Sequence, residues 1–178
     1  METICKKAAK IRLVIFDVDG VLTDGSLFFD AEGQEYKAFY ARDGLGMKML
    51  QSTGVIIAII TARSSPAVKH RMDNLGIEHV YQGQLDKLAA FKQLVAKLKV
   101  EPQQVAYVGD DVIDIPVMLQ VGLAIAVADA HALTIKHSHW QTQAIGGRGA
   151  AREVCELIMQ AQGTFESELS KFSISNDK

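Results

Sequence analysis

The sequence predicts an α/β fold: a doubly wound, Rossmann-like, mostly parallel sheet flanked by helices. Three observations predict it. Short, continuous apolar runs recur along the chain, stretches of helical period separate them, and acidic or hydroxyl residues follow the runs. Runs that are apolar throughout fit strands buried on both faces. Alternation with helices fits crossover connections. Polar residues just after the runs fit a sheet whose ligands bind beyond the carboxyl ends of its strands.

The elements follow in order. Leu13–Phe16 is the first strand, ending at Asp17-Val18-Asp19-Gly20. Ser26–Tyr40 breaks the alternation and reads as a β-hairpin turning around Asp30–Gly33, a small flap over the end of the first strand. Gly44–Thr53 places Leu45, Met49 and Leu50 at helical spacing. Val55–Ile60 is the second strand and ends at Thr61. Pro66–Leu75 opens with a proline where a first helical turn tolerates it. Leu85–Leu98 carries Leu88, Phe91, Leu94, Val95 and Leu98 on one helical face. Val105–Val108 ends at Gly109-Asp110-Asp111, Leu123–Val127 ends near Asp129, and Ala150–Ala161 is the closing helix. Residues 1–162 therefore read as one domain with no large cap, and 163–178 as a mobile polar tail.

A chain of 178 residues with 48% hydrophobic side chains can bury a core without staples. A net charge of −2 argues against a nucleic-acid partner, so anion binding must come from locally placed cations. The two cysteines, Cys5 and Cys155, form no CxxC pair, which disfavours structural zinc and a disulfide framework. No apolar run approaches the ~20 residues of a membrane span, and no targeting segment is recognisable. A cytoplasmic protein without a membrane partner is expected.

Two carboxylates at Asp17 and Asp19, one residue apart at a strand end, concentrate negative charge that a hard divalent cation such as Mg²⁺ can offset. Gly109-Asp110-Asp111 with Asp114 does the same at another strand end. Each cluster alone is equally an acidic turn or a helix cap; together they supply a cation site. Thr61 offers a hydroxyl and a backbone N–H to an oxyanion, and Lys87 a point charge. Alone, these would be a cap and a solvated lysine.

This ordered set, Asp17-Val18-Asp19-Gly20, Thr61, Lys87 and Gly109-Asp110-Asp111 with Asp114, resembles the haloacid dehalogenase superfamily, in its cap-less form. The resemblance implies a phosphatase in which Asp17 is the nucleophile that forms an aspartyl-phosphate and Asp19 the general acid and base. It also implies that Thr61 and Lys87 hold the phosphoryl oxygens. Asp17, the Asp19 carbonyl and Asp110 would bind Mg²⁺, supported by Asp111 and Asp114. Finer matches, among them Lys37-Ala38-Phe39, Arg42-Asp43-Gly44, Tyr81-Gln82-Gly83 and Gly146–Cys155, resemble the 3-deoxy-D-manno-octulosonate (KDO) 8-phosphate phosphatases. That family implies a homotetramer in lipopolysaccharide biosynthesis, with active sites completed by neighbouring subunits. It implies substrate contacts at Tyr40, Ala41, Arg42, Asp43, Gly44, Lys48, Arg63 and Arg71.

A sugar acid phosphate needs a second anion site for its carboxylate, and an arginine fork such as that of Arg63 suits it. Phosphates of related nine-carbon sugar acids remain an alternative. A phospho-receiver module also uses paired acids, Thr and Lys, but no lone Asp ends the Val55–Ile60 strand. A non-catalytic sugar-phosphate binder is the third reading. His137-Ser138-His139 lacks a partner cluster, Trp140 reads as packed or interfacial, and Gly146–Gly149 reads as a loop whose Arg148 is an available cation.

Overall fold

The computed structural model describes residues 2–172. Helix α1 (Glu2–Ala8) leads into β1 (Leu13–Phe16). The hairpin β2 (Phe28–Phe29) and β3 (Glu35–Tyr36) follows, then α2 (Ala41–Ser52), β4 (Ile56–Ile60), α3 (Pro66–Leu75), β5 (His79–Tyr81) and α4 (Lys87–Leu98). The chain continues through β6 (Val105–Gly109), a 3₁₀ turn at Val112–Asp114 and α5 (Ile115–Met118). It closes with β7 (Leu123–Ala126), α6 (Ala132–Lys136), β8 (Trp140–Gln141), α7 (Ala150–Ala161) and α8 (Phe165–Ser170).

Six strands form one parallel sheet in the order β5-β4-β1-β6-β7-β8. Chain order runs outward from β1 on one side and then outward from β6 on the other. The reversal therefore falls between β1 and β6, the place where doubly wound sheets open a crevice. Side chains alternate between two apolar layers. Val14, Phe16, Ile57, Ile59, Val108 and Ile125 pack under α1, α2, α3 and α7. Leu13, Ile15, Ala58, Ile60, Val105 and Tyr107 pack under α4 and α5. Burying a Val, Leu or Ile is worth about 1.5–3 kcal/mol each, so all-apolar strands specify this two-sided sheet.

Several expected elements differ. Helix α2 begins at Ala41 rather than Gly44, because Arg42 and Asp43 carry no apolar signal while Asp43 suits the positive end of a helix. Strands β5 and β8, only three and two residues long, have mixed composition and gave no apolar run. The segment after Gly163 is not simply a tail: Phe165 and Leu169 of α8 pack on the core layer under α7. Residues 173–178 of that expected tail lie outside the described residues. The hairpin forms as expected, with Asp30 Oδ1 accepting from the backbones of Glu32 and Gln34 at the turn.

Candidate active site

Asp17 continues the β1 ladder, donating its N–H to the Val108 carbonyl, and so stands beside the end of β6. The residue is buried, 4% exposed overall. Oδ1 accepts from the Val18 N–H at 2.7 Å, and Oδ2 lies 2.6 Å from Lys87 Nζ. Lys87, in the first turn of α4, also reaches Asp114 Oδ1 at 2.7 Å. Asp114 is fully buried and accepts four donors: Lys87 and the Tyr107 hydroxyl on Oδ1, and the Asp110 and Asp111 N–H groups on Oδ2.

These contacts divide the acids by role. Asp17, Asp110 and Asp114 each place a carboxylate oxygen within 4.8 Å of the others. Asp114 is already saturated by hydrogen bonds, so it orders Lys87 and the Asp110–Asp111 loop. Asp17 and Asp110 are left facing one another. Burial and then the Asp114 charge push Asp17 up to about 7, although Lys87 opposes the shift. Burial and then the charges of Asp17 and Asp114 push Asp110 up to about 8. Burial would depress Lys87, but Asp17 and Asp114 outweigh it and hold the ammonium above its usual range. An all-oxygen pair of carboxylates that resist joint ionisation fits a hard divalent cation. The backbone leaves it room: at Gly20, whose φ is +87°, a Cβ would lie 2.1 Å from Asp110 Oδ2.

Asp17, Asp19, Thr61, Arg63, Asp110 and Asp111 line one cleft of about 240 Å³. That is below the roughly 300–1,000 Å³ of ligand pockets. A cleft of that size fits a small group, and anything larger would project outward. Thr61 is corrected in one respect: its N–H donates to the Tyr81 carbonyl at 2.9 Å, so only the hydroxyl remains for an oxyanion. Asp19 pairs with Lys37 of the hairpin segment, and Lys37 Nζ lies 2.8 Å from Glu35 Oε1. Arg63 stands 3.4 Å from Glu35 and 4.0 Å from Asp19. Burial raises Glu35, but Lys37 and Arg63 outweigh it and keep its carboxyl below the usual value.

The other expected substrate contacts gather elsewhere. Tyr40, Asp43, Gly44 and Arg71 surround a crevice of about 10 Å³, too tight for a ligand. Asp43 is buried, and its oxygens accept from the Gly149 and Arg152 N–H groups, which caps α7. Gly44 lets Arg71 lie on the α2 backbone, since a Cβ there would meet Arg71 Nη2 at 2.2 Å. Ala41, Arg42 and Lys48 are exposed on α2, away from the cleft lining.

Sequence reasoning gave no role to Tyr107 or Glu35, and noted Lys37 only within the Lys37-Ala38-Phe39 match. A lone tyrosine in an otherwise apolar strand was a signal for the first; nothing local marked Glu35. It also undervalued Gly146–Gly149. Gly146 donates to Asp129, Gly147 donates to Val21, and a Cβ on Gly146 would lie 1.8 Å from the Gly20 carbonyl oxygen. This loop braces the turn that carries Asp19. Arg148 is exposed, with Asp24 at 4.0 Å. His139 accepts from the Ala124 N–H, a structural role, and Trp140 packs on the core.

A family model described as haloacid dehalogenase-like hydrolase matches residues 76–153. The chain is 51% identical over 165 residues to a 3-deoxy-D-manno-octulosonate 8-phosphate phosphatase of Yersinia pestis, covering 93% of this chain and 88% of the relative. It is 52% identical over 160 residues to that of Escherichia coli (strain K12), covering 90% and 85%. The crystal structure of a Moraxella catarrhalis 3-deoxy-D-manno-octulosonate 8-phosphate phosphatase, in complex with magnesium, phosphate and KDO, superposes with a TM-score of 0.95. It is 45% identical, and the match covers 97% of this chain and 99% of that one.

Proposed function

Because the chain belongs to the KDO 8-phosphate phosphatases of the haloacid dehalogenase-like hydrolases, we propose that it is a Mg²⁺-dependent phosphatase releasing phosphate from KDO 8-phosphate. The observation that carries this reading is Asp17 held between Lys87 and Asp110 at the switch point of the sheet. The reaction belongs to lipopolysaccharide biosynthesis and takes place in the cytoplasm. No helix among the described residues is long and apolar enough to cross a membrane.

Asp17 attacks phosphorus through its carboxylate and becomes the aspartyl-phosphate, while the bond to the sugar oxygen breaks. Attack by an anion on a phosphate dianion meets charge repulsion. Lys87 lowers it from the buried side, and the Thr61 hydroxyl donates to a phosphoryl oxygen. Mg²⁺, held by Asp17, Asp110 and the Asp19 carbonyl, supplies Lewis-acid neutralisation of the developing charge when bound. Asp19 gives a proton to the leaving alcohol, then takes one from the water that hydrolyses the acyl phosphate. Arg63 at the cleft wall receives the sugar carboxylate, exchanging Glu35 for it.

The small flap leaves the cleft open, and Phe28, Phe29 and Tyr36 are each more than half exposed. Packing of hairpins between four copies would cover these side chains and place each flap beside a neighbour's cleft. A homotetramer with shared sites is the assembly we propose, and light scattering that gave a fully active monomer would reject it. The substrate assignment is tested by phosphate release from KDO 8-phosphate, a nine-carbon sugar acid phosphate and a simple aryl phosphate in Mg²⁺. The highest kcat/KM is expected on the first; preference for the nine-carbon compound would replace the substrate and keep the chemistry.

A further inference from the structure

We propose that Lys37 is a positioning residue for Asp19: through it the hairpin sets where the carboxyl group of the proton-transfer residue lies. This rests on the reading of Asp19 as general acid and base. Asp17 and Asp114 are oriented by backbone N–H groups, with one donor on the former and two on the latter. The Asp19 carboxylate accepts no backbone N–H among the described residues, and its one hydrogen-bonding partner is Lys37. Arg63 stands off at 4.0 Å. Its direction is therefore set by a side chain arriving from another element 18 residues along the chain.

The lysine is itself tightly held. Its side chain is 1% exposed, and burying an ammonium is costly unless it is paired. The pairing is supplied by Asp19 on one side and Glu35 on the other. Lys37 directly follows β3 of the hairpin. A hairpin with strands of two residues is marginal alone, and its Phe28 and Phe29 point to solvent in the protomer. The ion pair thus works in both directions. It anchors the flap to the loop carrying Asp19, and it makes the Asp19 carboxyl position depend on a seated flap.

The test uses aryl phosphates whose phenol leaving groups span a range of acidity. A nitrophenolate departs with little help, whereas phenol itself needs the proton that Asp19 delivers. In Lys37→Met, kcat/KM should fall less than about threefold on p-nitrophenyl phosphate and more than about tenfold on phenyl phosphate, in the range expected for general-acid catalysis. Retained activity on the first substrate also reports a folded protein. Lys37→Gln, which keeps a donor at this place, should steepen the dependence less and serves if the Met variant is insoluble. Asp19→Asn is run in parallel. If it steepens the leaving-group dependence while both Lys37 variants lose activity equally across the series, the positioning role is overturned and the role of Asp19 stands. If Asp19→Asn itself shows no steepening, the reading of Asp19 on which this proposal rests is overturned.

Discussion

Lys87 Nζ lies 2.6 Å from Asp17 Oδ2, and the two side chains are 1% and 6% exposed. The same ammonium meets Asp114 at 2.7 Å, so one cation serves two buried carboxylates. Its position is fixed before any phosphate arrives, so little is lost in ordering it when charge develops on the substrate.

Removing this cation should cost both stability and rate. Lys87→Ala leaves Asp17 and Asp114 without their partner, and breaking a buried pair typically destabilises by about 3–5 kcal/mol. Urea unfolding should show that loss. Turnover should fall by the same factor on KDO 8-phosphate and on an aryl phosphate, because Lys87 acts on the phosphoryl group common to both.

Arg63 should separate the substrates instead. A hydrogen bond to a charged group is worth about 1.5–3 kcal/mol, so Arg63→Ala should cost roughly 10- to 100-fold in kcat/KM on KDO 8-phosphate. On an aryl phosphate without a carboxylate the loss should be small. Equal losses would place Arg63 at the phosphoryl group or in the fold.

Stability of the metal-free protein should fall with rising pH. Asp17 and Asp110 are raised to about 7 and about 8 from the usual 3.8, so the native state holds protons that the unfolded state has released. The slope of unfolding free energy with pH is then negative from about pH 4 to about 8. Thermal melts in EDTA should show a declining Tm over that window. Saturating Mg²⁺ should flatten the decline, since it binds the native, deprotonated pair. A Tm in EDTA that rises from pH 5 to 8 would contradict the electrostatic reading.

Gly20 should tune the metal. Gly20→Ala places a Cβ 2.1 Å from Asp110 Oδ2 at a backbone φ of +87°. Disturbing groups around metal ligands commonly costs 10- to 100-fold in affinity, and a Mg²⁺ titration of activity should shift by about that factor. Unchanged Mg²⁺ dependence would move the cation away from Asp110.

Much of this was legible in the sequence because the signals were local. Leu13–Phe16, Pro66–Leu75 and Ala150–Ala161 form with the boundaries their patterns imply. Asp17, Thr61, Lys87 and Asp110 converge because each sits at the end of a strand or the start of a helix. What escaped was long-range or depended on backbone already spoken for. The Lys37–Asp19 pair needs the hairpin to fold back, the Tyr107–Asp114 bond needs a strand to face a turn, and Asp43, which only the family resemblance marked as a substrate contact, gives its oxygens to Gly149 and Arg152 at the start of α7. The Thr61 N–H was unavailable because β5, too short to read, claims it.

The central claim is that Asp17 carries the phosphoryl group. Rapid acid quench during turnover, followed by borohydride reduction of the acyl phosphate and peptide mass spectrometry, reads that claim directly. The account predicts homoserine at position 17 in the parent protein, none in Asp17→Asn, and phosphate release nearly abolished in that variant with its melting transition retained. Reduction at another carboxylate, or undiminished turnover by Asp17→Asn, would contradict it.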